Sequence, residues 1–189
     1  MAEIITSIVE FVSSIIADLG PFFGFFIIYL ESIIPVLPLS VFVALNVITF
    51  GSIVAFIISS LGTIFGCITS FYFSRKFSHY INKKFKKNEK VKQFKKFINK
   101  ISFSDLVILF AIPFTPAFPV NIAAGLSDID KKKYITAVVI GKIPMIYFWV
   151  FIGKNLKDCL TDISVLAKMI FMVVAAYLVG KVANKFIKE

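Results

Sequence analysis

The 189-residue chain is 58% hydrophobic, contains 23 phenylalanines and has a mean hydropathy of +0.89. A soluble domain holds roughly 45–50% apolar residues, so the composition excludes one and describes an integral membrane protein of one domain. The net charge of +10 sits mostly in one cluster that directly follows a membrane span, which reads as a membrane-surface feature and not as a nucleic-acid interface.

The short alternating segments of a β-barrel are absent, whereas long apolar stretches recur, so the class is all-α. Residues 1–20 lack a basic region ahead of the first apolar stretch, which carries Glu10 and Asp18. No cleavable signal is expected, and the mature helices direct insertion. Polar positions 3, 6, 7, 10, 13, 14, 17 and 18 against mostly apolar 4, 5, 8, 9, 12, 15, 16 and 19 predict an amphipathic helix lying in the membrane interface, with a spanning helix as the alternative.

Residues 21–73 form an apolar run whose sole charged side chain is Glu31. An ionisable group at membrane depth is penalised by roughly 2.5 kcal/mol or more, so Glu31 should face a polar cavity or a partner. Pro35 and Pro38 follow within seven residues, and proline removes an N–H and disfavours helix in the residue before it. The two arms of residues 21–50 are each too short to cross a core of about 30 Å, which predicts a re-entrant hairpin with a non-helical tip. Residues 51–74 are then the first span, with Gly62 and Gly66 as a close-approach face.

From Arg75 to Lys100 eleven bases stand against one acid, Glu89. By the positive-inside rule, segment 75–101 is cytoplasmic, and Ile81, Phe85, Phe94, Phe97, Ile98 and Ile101 make it a surface helix whose apolar side dips into the membrane. Attraction to anionic lipid follows from the same charge. His79 within it reads as an interfacial side chain.

Residues 103–127 repeat the first theme. Asp105 leads an apolar arm, residues 113–119 interrupt it with Pro113, Thr115, Pro116 and Pro119, and Asn121 lies on the return. Asn121, Asn46 and Thr115 are expected to tie down exposed backbone, with a lipid headgroup contact as the sharper role for the asparagines. Lys131 to Lys133 precede a span over 134–153, and a third span over 161–186 leads to a basic C-terminus. Tyr134, Tyr147 and Trp149 suit aromatic belts. Two hairpins entering from opposite faces, each followed by a glycine-bearing span, make an inverted internal repeat of the kind whose sites lie at the repeat interface. Cys67 in an apolar span and Cys159 in a short loop offer neither a disulfide framework nor a metal site, and no cofactor is implied.

Glu31-Ser32 with Pro35-x-x-Pro38 and Phe50-Gly51, then Pro113-x-x-Pro116 with Asn121 and Ala123-Ala124-Gly125-Leu126, and finally Gly141-x-x-Pro144 and Gly153, together resemble the DedA superfamily, also called the VTT-domain or SNARE-associated Golgi protein family. The resemblance covers roughly residues 20 to 155. It implies two re-entrant hairpins and movement of lipids between leaflets: phospholipid scrambling in eukaryotic relatives, and flipping of phosphorylated isoprenoid carriers or membrane homeostasis in bacterial ones, with proton coupling in some members. The family's acidic residue on the first hairpin falls on Glu31. Two positions depart from the pattern: Ser40 stands where members often have an acid, and Phe110 where they often have an arginine.

Lys142 lies mid-span between Gly141 and Pro144. It either snorkels to an interface or pairs within the protein, Glu31 being the first candidate partner and Asp105 the second. Such a pair is structural glue or a headgroup contact, since a cation beside a broken helix suits an anionic phosphate.

The expected function is therefore lipid transport of flippase or scramblase type through a pathway using Glu31, Pro35, Pro38, Ser40, Asp105, Pro113, Thr115, Pro116, Asn121 and Lys142. Anionic lipids are the expected partners, protons or ions are candidate coupling species, and a homo-oligomer is compatible with the pattern. The alternative is a non-transporting homeostasis or assembly factor. An enzyme is not expected, because no metal-ligand spacing and no Gly-x-Ser-x-Gly motif occurs.

Overall fold

The computed structural model describes residues 2–35, 38–78, 80, 89–113, 115 and 117–155, and their regular structure is entirely α-helical. Among the described residues six helices follow in order: α1 Ala2–Ile33, α2 Leu39–Lys76, α3 Glu89–Lys100, α4 Phe103–Ala111, α5 Ala117–Leu126 and α6 Lys131–Lys154. Three runs are long and apolar enough to cross a membrane, Phe11–Ile33, Leu39–Lys76 and Lys131–Lys154.

The second of these does not run straight. Gly51 has φ 75° and ψ 167°, a left-handed conformation open to glycine and strained for any other residue. Asn46 Nδ2 donates to Ser59 Oγ at 3.2 Å, yet 13 residues of straight helix would separate them by about 19 Å at 1.5 Å each. The chain therefore doubles back at Gly51, and α2 is two helices, residues 39–50 and 52–76. Gly20, with φ 76° and ψ 178°, breaks α1 in the same way, ahead of Pro21. Between these glycines lies a helical hairpin, arms 21–33 and 39–50, whose connection at Ile34, Pro35 and Pro38 is non-helical. Asn46 also ties the arms together by donating to the Gly24 carbonyl at 3.3 Å.

Close-packed glycines set the relation of each long helix to the arms beside it. A Cβ on Gly62 would lie 2.8 Å from the Phe25 carbonyl oxygen, and one on Gly66 would lie 2.5 Å from Ser32 Cβ. Residue numbers rise together on both sides, so 52–76 runs parallel to the arm 21–33, through the glycine face expected from the sequence. In the second half a Cβ on Gly141 would meet the Val107 carbonyl oxygen at 2.6 Å and Phe110 Cβ at 2.7 Å, while Lys133 Nζ donates to the Ile101 carbonyl. Helix α6 is therefore parallel to α4. Each long helix also reaches the other half. A Cβ on Gly125 of α5 would stand 2.6 Å from the Phe71 carbonyl oxygen, and one on Gly153 of α6 would stand 3.1 Å from Ala44 Cα in the arm 39–50.

The long part of α2 turns a stripe of small polar residues inward and an apolar one outward. Ser59, Ser60, Thr63, Ser70 and Ser74 point inward along α2, whereas Ile53, Phe65 and Phe73 face outward, Ile53 with 79% of its surface exposed. An outward apolar surface over an inward polar one suits a hydrocarbon solvent, and the chain is a membrane protein.

Several expectations are refined. The second interruption is shorter than residues 113–119: α4 is capped by extended Ile112, and α5 already begins at Ala117. Pro119 is tolerated there because first-turn N–H groups have no intrahelical partner. Ile98 of α3 and Ile101 just beyond its end enter the protein core instead of the bilayer, and Phe97 is left about half exposed. Tyr134 is fully buried and stacks on Phe71 at 4.0 Å, so it belongs to the core and not to an aromatic belt. The expected span over 161–186, Cys159 and His79 lie outside the described residues.

Candidate functional site

Glu31 occupies the last turn of α1, half-buried, immediately before the first break. Its neighbour Ser32 is fixed from the side: Ser32 Oγ donates to Thr63 Oγ1 at 3.1 Å, and Ser70 Oγ donates to the Ser32 carbonyl at 3.4 Å. These bonds hold the tip of the first hairpin against the middle of residues 52–76. The second hairpin reaches the same level from the other end. Tyr134 Oη donates to Asn121 Oδ1 at 2.7 Å and lies 3.2 Å from the Cys67 carbonyl oxygen, one helical turn beyond Thr63.

Lys142 lies midway along α6 with 1% of its surface exposed, so it does not snorkel. The approach of α4 at Gly141 places Phe110 beside it, with the ammonium 5.7 Å from the ring centroid. Among the described residues its hydrogen-bond contact is Met145 Sδ at 3.3 Å, a weak acceptor. Lys142 and Glu31 are not in ion-pair contact. A buried ammonium is thus left with a π face and a thioether among the described residues. Phe110, at the position where the resemblance leads one to expect arginine, has a cation against its ring.

The other singled-out residues fall into two groups. Pro35 and Pro38 are exposed at the first break, and Ser40 is half-buried in the first turn of α2. Pro113 is buried at the second break and the Thr115 N–H donates to the Ile112 carbonyl at 3.2 Å, while Pro116 lies outside the described residues. Asn121 is fully buried, and its amide Nδ2 has no partner among the described residues. Asp105 belongs elsewhere. It sits in the first turn of α4, where its N–H donates to Ser102 Oγ at 3.0 Å and its Oδ2 accepts from the same hydroxyl at 2.8 Å, a helix-capping role. Lys142 lies beside Phe110, more than a turn away along α4.

Sequence reasoning missed Arg75, which it counted as one more cytoplasmic base. Its guanidinium donates to the carbonyls of Ala124, Gly125, Ser127 and Ile129, the shortest at 2.8 Å, and lies 4.5 Å from the Phe71 ring centroid. It closes the free carbonyl end of α5, which water would otherwise have to satisfy. A signal was present, since Arg75 is the single arginine among 21 basic residues, and only arginine offers five donors in a fixed fork.

The family model of the VTT domain matches residues 34–155. Over 173 residues the chain is 30% identical to YhjE, an uncharacterized membrane protein of Bacillus subtilis (strain 168), covering 89% of this chain and 82% of that protein. Over 153 residues it is 27% identical to YqeD, an uncharacterized protein of the same organism, covering 80% and 74%. No solved structure matches.

Proposed function

The chain belongs to the VTT-domain family, and from that premise we propose that it moves phospholipid or phosphorylated isoprenoid lipid between leaflets, as a flippase or scramblase. One observation carries the reading. Two helical hairpins approach from opposite ends of the bundle: Ser32 at the tip of the first bonds Thr63 of α2, Asn121 on the return arm of the second reaches the next turn of α2 through Tyr134, and a buried Lys142 beside the last turn of α4 has no ion-pair partner among the described residues. In a bilayer these would be re-entrant hairpins with tips near the midplane, where broken backbone is tolerated only against protein or water. A charged headgroup crossing the core needs such a polar path.

The directions of the helices support an inverted repeat. Residues 21–33, 39–50 and 52–76 run one way, back, and the first way again, while α4, α5 and α6 run as the reverse sequence. Arg75, Lys76, the α3 lysines and Lys131 to Lys133 gather at one end and Lys154 lies at the other, which by the positive-inside rule turns the lysine-rich end to the cytoplasm of the cell membrane. The second reading is a membrane homeostasis factor that transports nothing, for which the packed bundle would suffice. Fluorescent phospholipid in proteoliposomes separates the two: faster exposure of inner-leaflet label to an external quencher supports transport, and a rate equal to that of protein-free vesicles supports the second reading.

A further inference from the structure

Helix α4 has two faces with different company. Val107, Phe110 and Ala111 pack on α6 at Gly141. The stripe Asp105, Ile108, Leu109 and Ile112, spaced as one helical face, lines a crevice of about 540 Å³ whose opposite wall includes Lys96 and Lys100 of α3. The side of α3 turned away from the crevice is anchored: Ile98 is buried in the core, and the Asp128 N–H donates to Asn99 Oδ1 at 2.9 Å. Lys96 and Lys100, four residues apart, are left together and exposed at its mouth.

The lining is ordered by depth. Along the α4 wall Asp105 stands at the end where the chain's basic residues collect and the lining becomes aliphatic toward Ile112, about 11 Å away at 1.5 Å per residue, while on the α3 side Phe97 and Ile101 lie among Lys96 and Lys100. This is the polarity of one amphiphile standing in a leaflet. The volume lies within the range of ligand sites, and it suits a headgroup and part of one acyl chain, leaving the second chain in the bilayer. Two lysines and one carboxylate give the lining a net charge of +1, which matches a single phosphodiester charge; a second negative charge would meet Asp105.

We propose that the crevice between α3 and α4 is a binding site for a singly charged anionic glycerophospholipid, its phosphate at Lys96 and Lys100 and one acyl chain along Ile108, Leu109 and Ile112. The site faces away from Lys142, and its occupancy does not depend on lipid transport. A lipid held there ties the basic helix to the outer face of the second hairpin.

The test is native mass spectrometry of the full-length protein, delipidated in detergent and mixed in turn with phosphatidylglycerol, phosphatidylcholine and phosphatidic acid. Wild type is expected to retain one phosphatidylglycerol in preference to the other two. Lys96→Ala/Lys100→Ala should reduce that occupancy at least tenfold, whereas Lys131→Ala/Lys132→Ala, which removes the same charge from the same end, should not. Ile108→Trp, which fills the crevice and removes no charge, should expel the lipid as well. Asp105→Asn should bring phosphatidic acid up to the level of phosphatidylglycerol. Equal loss in both lysine pairs, or retention in Ile108→Trp, would mean general surface attraction and would overturn the site.

Discussion

The Lys142 ammonium lies 5.7 Å from the Phe110 ring centroid and 3.3 Å from Met145 Sδ, in a position with 1% exposure. A π face is worth about 2 kcal/mol to a desolvated cation, less than the several kcal/mol that removal from water costs an ion. The residue is therefore held at a loss to stability, which is reasonable for a cation kept ready to meet a phosphate. Lys142→Met, close in length and apolar, should leave the protein equally or more stable by about 1 kcal/mol while lowering lipid translocation at least tenfold. Thermal unfolding and vesicle assays on the same preparation check both halves.

Gly51 carries the reversal between the first hairpin and the long part of α2, at φ 75°, and no atom lies within 4 Å of the place where a Cβ would stand. Space is available, so the penalty of a side chain is purely backbone strain. Gly51→Ala should destabilise by about 1–2 kcal/mol, and Gly51→Val by more, because β-branching narrows the backbone choice further. Melting temperatures of the purified variants give the order, and no loss in Gly51→Val would contradict a doubled-back α2.

Arg75 joins the end of α2 to four carbonyls at the end of α5. Each hydrogen bond to a charged group contributes about 1.5–3 kcal/mol and is not additive with its neighbours. Arg75→Met should lower stability by about 3 kcal/mol or more, and Arg75→Lys should recover less than half, since an ammonium cannot span the same fork. Unfolding measured by loss of the folded monomer with temperature would show it.

Much of this was legible in the sequence because it rests on backbone chemistry. Pro35 with Pro38 and Pro113 marked both helix breaks, and Gly62 with Gly66 marked a close helix contact, since each residue constrains its own position whatever packs around it. The proline at 119 was misleading, because the first turn of a helix accepts proline as readily as a break does. What could not be read was choice of partner. Nothing local distinguishes Asp105 as a cap from Asp105 as a counter-ion, or Arg75 as a carbonyl clamp from Arg75 as a surface base. Those roles depend on distant elements: the carbonyls that Arg75 reaches are 49 to 54 residues along the chain. Tyr134 was misplaced for the same reason: its position at the end of a span suits a belt, and only the arrival of Phe71 and Asn121 makes it core.

The placement of the basic end on the cytoplasmic side has a direct check. In a cysteine-free background, Lys132→Cys should resist a membrane-impermeant maleimide in intact cells and react after lysis, whereas Lys154→Cys should react in both. The reverse pattern would turn the bundle over.

The proposed lipid pathway, with Glu31 immediately before the first break and Lys142 buried on α6, is tested most directly by Glu31→Gln in the proteoliposome assay. The amide preserves shape and hydrogen bonding and removes the charge. The account predicts a protein that expresses, folds and melts close to wild type, with lipid translocation reduced at least tenfold. Wild-type translocation by a well-folded Glu31→Gln protein would contradict it and leave Glu31 as packing chemistry.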